Sequence, residues 1–330
     1  KTLAFPARVR GRYKEALTLL DAAGEGFRQD GRSRHAMLVE LFTSDCLLQL
    51  RRFGEALEKC RRARQLFDQL GAPYEIGRCL LHEAHAFTGL GQHAEALASL
   101  LEARALFEQE GNRSALADAD LHIAALLLSQ QQAEDALTLA RLAEAVYREH
   151  NQPLGQARAW LLAAQSALAL DELEKAEEMV TAVLSIATAH NLPTLTYQGY
   201  HLQGALAARQ GDRPAALSAW QQGIAALEQL VGRLMLEYRA DFAQDKMRLY
   251  EDVVDLYLAD EQPEAALNIA ERAKSRALRD LLANRLDLRI EARSPLATIL
   301  AMDGTGRPLL VTQEIGRGRG ALAAWEQTWP

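Results

Sequence analysis

Three cysteines, four tryptophans and nine prolines are all that 330 residues hold of these types, and aromatic residues reach only 6%. Cys46, Cys60 and Cys79 are odd in number and fit no metal-ligand spacing. A disulfide framework and a zinc site are thereby excluded, and a reducing, cytoplasmic setting is expected. No run of about eighteen apolar residues occurs, so no segment is built to cross a bilayer. The opening Lys1-Thr2-Leu3-Ala4 lacks the layout of a signal peptide. Basic excess is missing as well: 37 Lys and Arg against 44 Asp and Glu leave a formal net charge of −7. Direct nucleic-acid binding, which needs phosphate neutralisation, is not expected. What the chain has instead is alanine, 59 residues of it. Alanine loses no side-chain entropy in a helix, so an apolar fraction built on Ala and Leu predicts helices and argues against a β-rich fold.

The alanines are not scattered. Glu15-Ala16-Leu17 returns as Glu55-Ala56-Leu57 and Glu95-Ala96-Leu97, then as Asp135-Ala136-Leu137, Lys175-Ala176-Glu177 and Ala215-Ala216-Leu217. The step is 40 residues each time. Phe27, Phe67, Phe107 and Tyr147 form an aromatic column with the same period. Ser44, Ala84, Ala124, Ala164 and Gly204 form a small one, and Gly31, Gly71, Gly111, Asn151 and Asn191 a helix-breaking one. Each unit reads as two antiparallel helices. In the third, Pro73 to Leu90 is followed by a stop at Gly91 and by His93 to Glu110, with Gly111 ending the second helix. Small residues belong where the two helices cross, and the aromatic column has to reach the next unit. One hairpin cannot bury such a face alone, so successive units must stack.

Ala84, Phe87, Gly91, Ala96 and Ala103 match the key positions of the tetratricopeptide repeat, and the stretch 11–230 resembles that family in its long-repeat form. The resemblance implies an all-α right-handed solenoid of antiparallel helix pairs, a tetratricopeptide superhelix. Residues 1–230 form the array, with the first unit incomplete.

The period then breaks. The motif ending at Ala266 lies 50 residues after Ala216, so ten residues are inserted around 231–240. Tyr250-Glu251-Asp252, Pro263-Glu264-Ala265-Ala266, Glu271-Arg272-Ala273-Lys274-Ser275-Arg276-Ala277-Leu278 and Asp280-Leu281-Leu282 resemble the junction helix of tetratricopeptide–CHAT proteins, in which the array precedes a caspase-like domain. That resemblance implies a coupling role for Glu271, Arg272, Lys274, Ser275, Arg276 and Leu278 within an atypical junction, residues 231–290. Residues 291–330 read as a short β tail, the start of a CHAT-type α/β domain, with strands at 298–302 and 309–312 about a turn at 303–306. Gly316-Arg317-Gly318-Arg319-Gly320 reads as a glycine-rich loop. No His or Cys follows Leu282, so a His–Cys dyad is not expected in this chain, and the chain is expected not to be an enzyme. Both ends read as cuts through a longer protein.

Other motifs carry less chemistry. His82-Glu83-Ala84-His85 has its histidines three apart, where a metalloprotease helix needs four. These side chains are expected on a helix surface, and no metal or cofactor is expected. Asn112-Arg113-Ser114 reads as a helix start, with Asn112 or Ser114 as the cap. Ligands of such arrays lie along the first helices, so the expected partner-binding face holds Arg78, Asp118, Arg158 and Gln198 in one row. Asp45, His85, Ala125, Gln165 and Ala205 make a second, and Leu81, Leu121, Leu161 and His201 a third. This mixture of leucine and alternating charge suits a protein or peptide segment.

The expected function is protein–protein interaction, as the regulatory array of a CHAT-domain caspase-like protease. The alternatives are the sensor array of a signal-responsive transcription activator, or a passive assembly scaffold.

Overall fold

The computed structural model describes residues 4–234, 239, 242 and 246–273, together with strand segments at 291–294, 297–302, 308–315 and 318–323. Helix α1 (Ala4–Val9) is followed by α2 (Tyr13–Gln29), α3 (Ser33–Gln49), α4 (Phe53–Gln69), α5 (Pro73–Gly89) and α6 (His93–Gln109). Then come α7 (Arg113–Ser129), α8 (Ala133–Glu149), α9 (Pro153–Ala169), α10 (Leu173–Ala189), α11 (Pro193–Arg209) and α12 (Arg213–Gly232). Helix α13 (Arg248–Ala259) follows, and residues 263–273 form α14.

The backbone repeats at half the sequence period. Helices α2 to α11 are each 17 residues long, and a residue with positive φ recurs every twentieth position from Gly11 to Gly211. Each turn closes the same way. After α5, Gln92 N–H donates to the Phe87 carbonyl at 2.8 Å and Gly91 N–H to Thr88 at 3.0 Å, a Schellman-type end that needs a left-handed residue after the helix. Glycine holds that position in some turns, but Arg51, Gln131, Asn151, Asp171 and Asn191 hold it in others. Gln131 sits at φ 65° without the local hydrogen bonding that eases this region for Asn and Asp. Gln131→Gly is therefore expected to stabilise the array by about 1 kcal/mol, read as a higher denaturation midpoint with an unchanged slope.

Few helix starts are capped by side chains. Asn112 Oδ1 accepts from Ala115 N–H at 3.1 Å and Asp212 Oδ1 from Ala215 N–H at 3.0 Å, which settles the cap after Gly111 on Asn112. Packing supplies the rest. Ala16, Ala56, Ala96, Ala136, Ala176 and Ala216 are all fully buried, as helix crossings require. Phe67, Phe107 and Tyr147 are buried too, and each reaches the following unit: Phe67 packs with Cys79, Phe107 with Ala115 and Ala119, and Tyr147 with Ala159 and Ala163. The result is an α-solenoid of antiparallel helix pairs.

The solenoid curls until its ends meet. One buried cluster joins Ala4, Ala7, Tyr13, Ala16 and Leu20 from the first two helices to Trp220, Ile224, Leu227 and Leu230 of α12. Gly11 lies against Leu230 and Pro193. The Tyr13 ring packs 6.4 Å from that of Phe242.

Beyond α12, two polar ties fix the junction. Arg272 grips Glu228 through Nε at 2.9 Å and Nη2 at 2.6 Å, and the Tyr250 hydroxyl donates to the same carboxylate at 3.1 Å. Arg213 pairs with Asp260. The strands β1 (Glu291–Ser294), β2 (Ala297–Met302), β3 (Pro308–Ile315) and β4 (Gly318–Ala323) form an antiparallel meander in chain order. Thr298 faces Thr312 and Ile299 faces Val311, in keeping with the expected hairpin. The glycine-rich loop reading is corrected for Gly318, Arg319 and Gly320. They pair with β3, Arg319 opposite Glu314 and Gly320 opposite Gln313, because a backbone ladder needs no apolar side chains.

Candidate functional site

The first helix of every hairpin turns one face inward, and these faces enclose a cavity of about 610 Å³. Arg8 comes from α1, Asp45 from α3, Arg78, His82 and His85 from α5, Asp118 and His122 from α7, Arg158 and Gln165 from α9, and Gln198 from α11. A 40-residue period repeats the same helix face, and curvature brings those faces together. Of the residues expected on the partner-binding face, Arg78, His85, Asp118, Arg158, Gln165 and Gln198 thus share one chamber. Leu81, Leu121 and Leu161 line it as well.

His201 lies elsewhere, which corrects its expected place. Its Nε2 is 2.6 Å from Asp252 Oδ2, and Arg248 holds the other carboxylate oxygen at 3.1 Å. Helix α13 packs on α12 and supplies Asp252 to His201, so His201 is engaged at the junction and does not line the chamber. Of the junction residues, Arg272 ties to Glu228 as described and Glu271 is exposed. Lys274, Ser275, Arg276 and Leu278 lie outside the described residues.

The helix-surface reading of His82-Glu83-Ala84-His85 is also corrected. Glu83 is buried, with Arg64 at 3.3 Å, and both histidines face the chamber. Ser44 donates its hydroxyl to the Leu41 carbonyl at 2.8 Å and lies 2.7 Å from His82 Nδ1. Its oxygen therefore accepts from Nδ1–H, which leaves His82 Nε2 as an acceptor. The rings of His85 and His122 are 5.9 Å apart. Sequence spacing placed His82 and His122 one period apart. The inward turn of both was readable only relative to the small column at Ala84 and Ala124, two positions along each helix.

The chamber is positive inside a negative protein. Arg8, Arg51, Arg78, Arg158 and Lys246 line it against Asp45 and Asp118. Asp45 pairs with Arg8 at 3.1 Å. Burial works to raise its pKa, but Arg8, His82, Arg78 and Arg158 together outweigh burial and hold the carboxyl below its usual range. Asp118 accepts a hydrogen bond from the Tyr147 hydroxyl at 2.7 Å. Burial pushes His82 down to about 4, partly opposed by Asp45 and reinforced by Arg78. Burial, followed by the Arg158 charge, pushes His122 well below the ordinary histidine value. Both rings are thus neutral at pH 7 and offer hydrogen bonds, not charge. Among the described residues no group of His, Cys, Asp and Glu is arranged to hold a metal ion, and no helix is long and apolar enough to cross a membrane. Cys46, Cys60 and Cys79 are buried, and burial pushes their thiols up, so they are inert packing groups.

No family model and no curated protein matches the chain. Solved structures do. A Rap protein complexed with Competence and Sporulation Factor has a TM-score of 0.66 at 14% identity, over 84% of this chain and 74% of that one. The Rap conjugation gene regulator of plasmid pLS20, in complex with the Phr* peptide, has a TM-score of 0.64 at 14% identity, over 83% and 73%. BtubC from P. vanneervenii has a TM-score of 0.53 at 17% identity, over 74% and 96%. At these identities the likeness concerns the fold. The fold is that of a tetratricopeptide-like helical repeat solenoid.

Proposed function

We propose that this chain is a peptide receptor: the array takes a short protein or peptide segment into its inner chamber and binds it without catalysis. The observation that carries the reading is that all six first helices contribute side chains to one chamber. A preformed concave site loses little free energy to reorganisation on binding. A volume of about 610 Å³ falls in the range of roughly 300–1,000 Å³ that encloses drug-sized ligands, which fits a few peptide residues and not a folded domain. Two of the fold neighbours were solved in complex with Competence and Sporulation Factor and with the Phr* peptide, which supports a ligand of this kind.

The test is a displayed random-hexapeptide library panned on the wild-type chain and on Ala125→Trp. Ala125 is exposed and lines the chamber, so the indole fills the site without entering the core. Sequences enriched on the wild type should be lost on the variant. Equal enrichment on both, or none on either, would overturn the reading.

A finer reading makes the array the regulatory region of a CHAT-domain caspase-like protease, acting from the cytoplasm on a downstream protease domain. It is supported by the Glu271–Leu278 string and by the clamp that Arg272 places on the last repeat through Glu228. A His–Cys pair in a caspase-like domain encoded after residue 330 would bear it out. A helix-turn-helix there would replace it with the transcription-activator reading and leave the peptide receptor intact.

A further inference from the structure

Several arginines on the outer faces of the array are matched by carboxylates. Arg64 reaches Glu83, Arg104 reaches Asp120, Arg113 reaches Glu149 and Arg209 reaches Asp171. Two chamber arginines are not. Among the described residues Arg158 makes no hydrogen bond or ion pair, and Arg78 only lays its guanidinium over the rings of Phe42 and Tyr74, at 5.0 and 5.9 Å. The chamber's carboxylates are already engaged, Asp45 by Arg8 and Asp118 by the Tyr147 hydroxyl. Two guanidiniums with unused donor forks thus face a concave space in which five basic side chains meet two carboxylates, Asp45 paired with Arg8 and Asp118 holding the neutral Tyr147 hydroxyl. A planar guanidinium presents paired N–H donors matched to a carboxylate, and in a partly desolvated site that contact is stronger than in open water.

We propose that the ligand of the chamber is a short acidic peptide whose carboxylate, from an Asp or Glu side chain or from its C-terminus, docks on Arg78 and Arg158 while neighbouring apolar residues lie on the leucine row. This rests on the peptide-receptor reading and adds the ligand's chemistry to it. Leu81, Leu121 and Leu161 are largely buried and show only an edge on the chamber wall, and this apolar strip beside the charged row is the reason to favour a peptide over a bare anion. Leu81, Leu121 and Leu161 each follow an Arg78-row position by three residues, so on every first helix an apolar site lies one turn from a polar one. The first helices of neighbouring hairpins touch. Packed helices lie about 8–10 Å apart, which matches about three residues of extended chain. A peptide crossing these helices meets the charged row and the apolar row in parallel.

The test uses three synthetic sets of apolar hexapeptides that differ at one position or at the end: one internal Glu with an amidated C-terminus, the matching Gln with an amidated C-terminus, and that Gln with a free C-terminus. Affinities are read by fluorescence anisotropy at physiological salt, with helicity of every variant checked by circular dichroism. The Glu or free-carboxylate set should bind at least ten-fold more tightly than the amidated Gln set. Arg158→Gln should abolish that preference, and Arg158→Lys should restore part of it through charge alone. Equal binding of the charged and amidated sets, or a preference that survives Arg158→Gln, overturns the proposal. So does displacement by inorganic phosphate at submillimolar concentration, which would mark a phosphate site. Peptides that bind without acidic preference yet are lost in Ala125→Trp would sink this inference and keep the receptor. Binding by none of the three sets would count against both.

Discussion

Phe107→Ala is expected to destabilise the array by about 3–5 kcal/mol, the cost of removing a large aromatic from a core that cannot collapse. Phe107 is fully buried on α6. It packs on Gly77, and its ring lies 6.1 Å from that of Tyr74, both on α5. On the other side it meets Ala115 and Ala119 of α7. In a solenoid, stability is roughly a sum of unit terms and nearest-neighbour interfaces. A loss at this interface should therefore broaden or split the denaturation curve between the halves before and after α6. The equivalent Phe27→Ala should cost far less, because Phe27 is only partly buried and its ring contact is with His35 at 5.1 Å. A Phe107→Ala curve that stays single and shifts by less than about 1 kcal/mol would refute this account of the aromatic column.

Gly11→Val is expected to open the contact between the ends of the array. Gly11 has φ +70°, where a β-branched residue is strained by about 1–2 kcal/mol. A Cβ there would also land inside the Leu230 side chain, which is fully buried and has no room to retreat, so overpacking adds about 1–3 kcal/mol. Gly31→Val separates the two effects, since Gly31 also has φ +70° but nothing near its missing Cβ. Gly31→Val should show the backbone cost alone. The difference between the two variants measures the contact between α1–α2 and α11–α12. Hydrogen exchange should rise at both of those distant segments in Gly11→Val and only near α2–α3 in Gly31→Val. Matching stability losses and exchange patterns would mean that the ends contribute nothing to holding the array closed.

Much of the fold was legible in the sequence because its signals are local. Helix and turn repeat with the chain: Ala16 to Ala216 mark the crossings, Gly91 and Gly111 mark the stops, and Asn112 caps a helix. The row from Arg78 through Asp118 and Arg158 to Gln198 was legible for the same reason, since a fixed period returns the same face of the first helix. The 20-residue half-period was hidden. Arg51, Gln131 and Asp171 occupy left-handed positions where no glycine marks the turn, because stacking enforces the backbone against propensity. His201 was misplaced because the ten-residue insertion after α12 breaks the register, so the period does not show that α13 supplies Asp252 to it.

By itself, then, the sequence determined the helices, their pairing and the face each first helix presents, since 3.6 residues per turn and a constant repeat leave little freedom. Only the tertiary structure decided that those faces enclose a chamber, that Arg78 and Arg158 line it without a direct ion pair among the described residues, and that Gly11 meets Leu230 from the far end of the array. Closure comes from small angles between successive hairpins. Each is set by how side chains interlock, and only their accumulated turn brings residues more than two hundred positions apart into contact.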